Sequence, residues 1–506
     1  MVHVLIAGHI AHWLIMGRTL APLELNEVLY TLELGIITAG FIFMSLAVIA
    51  TAIFGRFFCS WGCHLLALQD LSAWLLAKVG IRPKPVRSRV LLLVPLGAMI
   101  YMFLWPHVMS VIEGRGLPII ERLHVQGENQ AWASFITDDF WRNLPGPGVT
   151  VATFFICGFA VVYLLGSRSF CTYACPYGAI FAIVDRAAPG RIKLASTGTE
   201  CTQCGLCTAA CSSHIRVHQE LTVFGRVVSP ACLKDLDCVS ACPTGAITYG
   251  RTRPSGLRSW RRFGRFGVPY DFTWREDALM AIVFIGSLMA LRGLYGLVPF
   301  LLSLAAAGGI AFLAAVAVRL ITRRDVRLLG SQLKRAGQLL GRGWSVGALL
   351  LMLALFVAHS GFIRWHDFLG QRAFGTLMHR ASLGESIGNA QETSEASRHL
   401  ELCDRWGLLR PSELSWRLAS LHWASGAPFA AEPHIQRLVD AHPTTHEWRL
   451  KLAAIAMARS DLQRAAREAQ TVIDLVGGSA APHDRSVVSL AHTMLEDIKL
   501  LSAAPE

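Results

Sequence analysis

Charge is scarce in this chain. Asp, Glu, Lys and Arg make up 16% of its 506 residues, against 53% hydrophobic residues, and the mean hydropathy is +0.43. A soluble globular protein carries about a quarter charged residues, so this balance excludes a wholly soluble chain and points to a bilayer. Acidic residues are the scarcer sign, 35 against 47 basic, for a net charge of +12. Such an excess can serve nucleic acid when it gathers on one face. Here the basic residues flank apolar runs, where they set membrane orientation, and no nucleic-acid partner is expected. Solitary cysteines are scarcer still: of 13, only Cys157 and Cys403 stand outside clustered motifs, and both read as packing residues. The remainder suit a reducing compartment better than a disulfide framework. A basic n-region is also missing ahead of the first apolar run, which carries His3, His9 and His12 instead, so no cleavable signal peptide is expected.

What is present centres on Cys201 to Pro243. Cys201, Cys204, Cys207 and Cys211 have the C-x2-C-x2-C-x3-C spacing of a bacterial ferredoxin. Cys232, Cys238 and Cys242 nearly repeat it, with Asp235 where the second cysteine belongs. The short spacing wraps backbone turns around one corner of an iron-sulfur cage. In two-cluster ferredoxins the fourth cysteine of each run crosses to the other cluster. That rule gives one cluster to Cys201, Cys204, Cys207 and Cys242. The second falls to Cys232, Cys238 and Cys211, with Asp235 or nothing at its fourth corner. Two iron-sulfur clusters are therefore expected: a [4Fe-4S] cluster, and a second that is [3Fe-4S] or oxygen-ligated [4Fe-4S]. Structural zinc also takes four thiolates, but its motifs are usually two separated C-x2-C pairs.

Apolar runs at 2–16, 35–54, 90–112, 149–166, 278–296, 298–318 and 344–363 read as spans, the first short for a bilayer. Residues 18–33, with Glu24, Glu27 and Glu33, read as a loop, and 65–79 as an amphipathic stretch. The loops at 78–89, 251–265 and 319–335 are rich in Arg and Lys, which places them in the cytoplasm. Seven spans then put the N-terminus inside and the C-terminus outside, and six result if the first does not cross. The expected fold is a mainly α membrane protein with six to seven transmembrane helices, an inserted two-cluster ferredoxin-like α+β module and a C-terminal α-helical domain. The expected divisions are 1–189, 190–250, a basic connector 251–277, 278–363 and 364–506. In the last, Trp416-Arg417-Leu418 recurs as Trp448-Arg449-Leu450. That repeat resembles a degenerate tetratricopeptide pair, with an ordinary helical bundle as the alternative; the repeat reading suits docking of a protein partner outside the cytoplasm.

Two further segments, GRFFCSWGC and SRSFCTYAC, share a pattern: an Arg, a gap ending in Phe, then Cys-x3-Cys. Each follows a span. Together they offer Cys59, Cys63, Cys171 and Cys175 as a thiolate set for a metal or another cluster. Redox-active dithiols and helix-end packing are the competing readings. Arg168, in the second copy, is expected near clusters or lipid headgroups. His9, His12, His64 and His107 lie near span ends and read either as interfacial, hydrogen-bonded residues or as candidates to take a quinol proton; no pair at matched depth suggests haem.

GRFFCxWGCH, RSFCTYxCPYG and the ferredoxin module together resemble the NapH/NosR family of membrane iron-sulfur proteins, over roughly residues 9–250. The resemblance implies electron transfer between the quinone pool and a respiratory reductase system at a bacterial inner membrane. It also implies cluster ligation by the module's cysteines and retention of both C-x3-C pairs. Three departures stand out. Asp235 replaces a cysteine, His64 rather than Pro follows Cys63, and the flavin-bearing domain of NosR proteins has no counterpart in these residues. Two other functions stay open: a metal-ion reductase or cofactor-maturation factor for a metalloenzyme, and a redox-sensing scaffold.

Overall fold

The computed structural model describes residues 2–21, 27–81, 83, 85–112, 123–125, 135–141, 146–195, 200–213, 215–254, 270–383, 390–476 and 482–503. Glu24, Arg82, Lys84 and the arginines Arg258, Arg261, Arg262 and Arg265 of the basic connector lie outside them. The chain divides into two compact units: residues 1–288 with 299–354, and residues 289–298 with 355–506.

In the first unit, helices form at Val2–Met16, Ala39–Phe54, Pro147–Leu165 and Phe300–Thr322, and a continuous helical run covers Leu91–Ile112. Among the described residues four helices are long and apolar enough to cross a membrane: Leu91–Ile112, Pro147–Leu165, Phe300–Thr322 and Gly341–Arg380. Val2–Met16 and Ala39–Phe54 are apolar but shorter. The Leu91–Ile112 run widens to a π-helix at Ile100–Leu104, just before Pro106. Proline lacks the N–H that would bond the carbonyl four residues back, and a wider turn relieves the clash its ring would make there.

Two departures from the expected layout involve polar groups. The stretch read as a loop at 18–33 ends in a helix, Glu27–Leu34. Glu27 is buried and its carboxylate accepts the Gly40 N–H at the start of Ala39–Phe54, a donor that has no partner inside its own helix. The basic stretch after Phe300–Thr322 forms a three-stranded antiparallel meander, Val326–Leu328, Ser331–Arg335 and Gln338–Leu339.

The ferredoxin-like segment pairs strand Gly190–Leu194 antiparallel with Ile247–Arg251, in register from Gly190 opposite Arg251 to Leu194 opposite Ile247. Short helices Leu206–Ala210, Val217–Phe224 and Asp237–Ser240 lie between the strands in sequence. Ile192, Ile215, Val217, Leu221, Val227 and Ile247 form their common core together with four cysteines. The turn after Val217–Phe224 is fixed by Glu220, whose Oε2 accepts the N–H groups of Val228 and Ser229 at 2.7 and 2.9 Å.

The second unit is helical, from Ala390–Trp406 through Ser412–Ala424, Pro428–Ala441, His446–Ala458 and Leu462–Val476 to Pro482–Ala503. Ala419, Ala431, Ile435, Leu438, Trp448, Leu452 and Ile455 pack as one core. The repeated leucines Leu418 and Leu450 are both buried. The repeated arginines pair with acids: Arg417 with Glu413 at 2.9 Å and Arg449 with Glu468 at 2.8 Å.

Candidate iron-sulfur centres

The two C-x3-C segments fold alike. Ala39–Phe54 ends at Gly55, with φ +81°, and Pro147–Leu165 ends at Gly166, with φ +102°. These left-handed values favour glycine. At Gly55 space adds a second demand, since a Cβ there would lie 2.7 Å from the Lys234 Cε. Each turn leads into a five-residue helix, Phe57–Trp61 or Ser169–Tyr173, that carries the first cysteine. The second cysteine is then the N-cap of the next helix: Cys63 for His64–Lys78 and Cys175 for Pro176–Asp185. The Gly178 N–H points to the Cys175 sulfur at 3.4 Å. A helix N-terminus favours the thiolate form.

The duplicated fold brings Cys59, Cys63, Cys171 and Cys175 into one cluster with Leu66, Tyr177, Phe181 and Leu233. Burial pushes the Cys171 thiol well above the usual range, and Cys63, Cys175 and Cys59 push it the same way. Burial likewise raises Cys175 to about 12, with Cys63 adding to the effect. Four thiols crowded out of water need positive charge to ionise together. Arg56 provides part of it, its Nη2 lying 3.8 Å from the Cys59 sulfur. A bound metal or cluster would provide the rest.

In the module, Cys201, Cys204, Cys207 and Cys242 line a common cavity with His218 and Thr244. Cys211, Cys232, Cys238 and Asp235 form a second group. Burial raises Cys211 to about 11, and Cys232 and Asp235 push it in the same direction. Cys238 is raised by burial and then by Cys232, Cys211 and Asp235. Among the described residues no three His, Cys, Asp or Glu side chains converge as they would on a single ion. Thiols set round a cavity suit a multi-iron cage better than one zinc ion.

A largely buried network of charges joins these groups. Arg168 is 5% exposed. Its Nε and Nη2 reach Asp70 at 3.1 and 3.2 Å, and its Nη1 reaches Asp235 at 2.6 Å. Lys234 donates to Asp185 at 2.8 Å, and the Arg56 backbone N–H donates to the same oxygen at 3.2 Å. Arg191 Nη1 lies 3.1 Å from the other oxygen of Asp185. The Trp61 indole donates to the Lys234 carbonyl at 3.3 Å and Arg56 to the Pro230 carbonyl at 2.8 Å. The repeated Arg of the two membrane motifs was the one signal that pointed here.

The candidate histidines are placed separately. His9 contacts the Leu20 carbonyl and His12 the Thr19 hydroxyl, each at 3.0 Å. His64 begins the helix after Cys63, and His107 sits in Trp105–Ile112.

Residues 36–82 and 148–195 each match a family model described as a 4Fe-4S binding domain. Each match contains one C-x3-C pair, and both end before Cys201. Among curated proteins, the chain is 26% identical over 215 residues to the methylamine utilization ferredoxin-type protein MauN of Methylobacillus flagellatus, covering 42% of this chain and 65% of that protein. It is 25% identical over 239 residues to the ferredoxin-type protein NapH of Haemophilus influenzae, covering 45% and 71%. It is 28% identical over 118 residues to the putative electron transport protein YccM of Escherichia coli, covering 23% and 30%. The chain thus spans just under two thirds of the length of the first of these. No solved structure matches it.

Proposed function

From a chain that is related to the NapH-type ferredoxin-type proteins and carries two 4Fe-4S binding domains, we propose a membrane-bound iron-sulfur protein that passes electrons between the quinone pool and a respiratory reductase system. Cys201, Cys204, Cys207 and Cys242 hold one [4Fe-4S] cluster. Cys211, Cys232 and Cys238 hold a second, with Asp235 beside them. Cys59, Cys63, Cys171 and Cys175 hold a further cluster or metal. Such clusters supply one-electron chemistry at potentials set by ligands, nearby charge and burial.

One observation carries this reading. Leu233 packs among the C-x3-C thiols, while its neighbour Cys232 belongs to the module's core. Two adjacent residues therefore link the two thiol sets. The setting of buried Cys59 and part-buried Cys171 favours this role over a site that loads and releases metal. By the arginine pattern, the ferredoxin module lies on the cytoplasmic side of a bacterial inner membrane, and the C-terminal helices dock a protein partner on the other side.

The test is EPR on membranes reduced with a quinol, comparing wild type with a Cys59→Ser/Cys171→Ser double variant. Wild type is expected to show quinol-dependent cluster reduction. The double variant is expected to lose iron and to leave the module's clusters oxidised. Full iron content and unchanged reduction in the double variant would exclude the C-x3-C set from the path.

A further inference from the structure

The loops Cys201–Cys207 and Cys232–Cys238 trace the same backbone. Gln203 and Gly205 take φ values of +54° and +77°, and Lys234 and Leu236 take +57° and +68°. Cys204 and Asp235 each sit between two left-handed residues, so they hold corresponding places. Their surroundings differ. Cys204 faces the cavity it shares with Cys201, Cys207 and Cys242. Asp235 lies close enough to Cys211, Cys232 and Cys238 to act on all three electrostatically, but its carboxylate is already bound. Its Oδ2 accepts from Arg168 Nη1 at 2.6 Å and also from the Ser212 hydroxyl.

Arg168 is itself fixed. Its opposite edge is paired with both carboxylate oxygens of Asp70, its side chain is 6% exposed, and its backbone is left-handed at φ +58°. A non-glycine residue in that region is strained, and the neighbouring contacts hold it there. For Asp235 to ligate iron it would have to share the charge that now compensates a buried guanidinium.

We propose that Asp235 is a charge anchor and not a ligand. The second cluster is held by Cys211, Cys232 and Cys238 alone, its fourth iron has no protein ligand and exchanges with solution, and Arg168 is the positioning residue that engages the carboxylate. This rests on the iron-sulfur reading above. Oxidation of the four-iron form then proceeds with balance: one ferrous iron leaves the cage, one electron passes to the oxidant and a three-iron cluster remains.

The experiment treats the purified full chain, prepared without oxygen, with ferricyanide as that oxidant, and follows released iron together with the EPR signal of the three-iron cluster. Wild type and Asp235→Asn should each release one iron per chain and recover it when ferrous iron and dithionite are added. Asp235→Cys should release none. Arg168→Gln, which frees the carboxylate, should release iron more slowly than wild type, and Arg168→Lys should match wild type. Wild type resisting release while Asp235→Asn loses iron would overturn the proposal by showing Asp235 to be a ligand. Loss from Asp235→Cys equal to wild type would also overturn it. Arg168→Gln behaving as wild type would remove the positioning role. A wild-type preparation without acid-labile sulfide would instead defeat the iron-sulfur reading itself.

Discussion

Asp185 closes the Pro176–Asp185 helix, where the negative end of the helix dipole disfavours an acid. It is nevertheless fully buried. Lys234, Arg191 and the Arg56 N–H compensate it, from positions 49, 6 and 129 residues away in sequence. Asp70, on the far side of Arg168, is 42% exposed. Removing one partner of a fully buried pair costs about 3–5 kcal/mol, whereas water can replace the half-exposed Asp70 in part and Asp235 still faces Arg168. Asp185→Asn is therefore expected to lower the denaturation midpoint of the detergent-solubilised protein sharply and Asp70→Asn only slightly, as measured by urea unfolding. Equal shifts would contradict this ranking. Nothing in the local sequence marks Asp185, a lone acid at the end of an apolar helix. Arg56 and Arg168 were legible because the motif repeats them, but their burial was not, since it depends on partners from distant segments.

At the scale of elements, the Trp274–Leu291 and Phe300–Thr322 helices are tied end to end. Thr273 and Glu276 form a capping box: the Thr273 N–H donates to Glu276 at 2.9 Å and the Glu276 N–H to the Thr273 hydroxyl at 3.3 Å. The same carboxylate takes Arg319 at 2.7 and 2.9 Å and Arg323 at 3.0 Å, from the C-terminal end of the other helix. Acid at a helix start and base at a helix end both suit the helix dipoles. Hydrogen bonds from Arg319 outweigh the opposing effect of burial and hold Glu276 at about 2, below its ordinary 4.5. A depressed carboxylate stabilises the fold above its unfolded pKa and loses that contribution as pH falls toward the folded one. The stability gap between wild type and Glu276→Gln should be full at neutral pH and close between about 4.5 and about 2; a gap constant with pH would contradict the assignment. The sequence carried the apolar lengths and the basic ends of these helices. It could not show that one acid serves as both cap and clasp.

Across the whole chain, the thiol sets and the helical second unit were legible to different degrees. The cysteine spacings were plain because clusters require local geometry. Helix continuity was less so: the stretch taken as a last span at 344–363 is part of a single helix, Gly341–Ser382, because no proline interrupts it beyond the apolar residues. The loop read at 18–33 concealed a helix whose buried Glu27 caps its neighbour, a relation that acidic composition masks. If the C-terminal helices dock a partner, deleting 370–506 is expected to abolish co-purification of that partner while leaving cluster absorbance intact; a pull-down unchanged by the deletion would count against docking.

The twofold build of glycine turn, five-residue helix and capping cysteine has an evolutionary corollary. Each copy brings two thiols to the one packed group. The present polypeptide carries one build twice, and the family model matches it twice. Its divergence is written in the residues after the second cysteine, His64 in one half and Pro176 in the other.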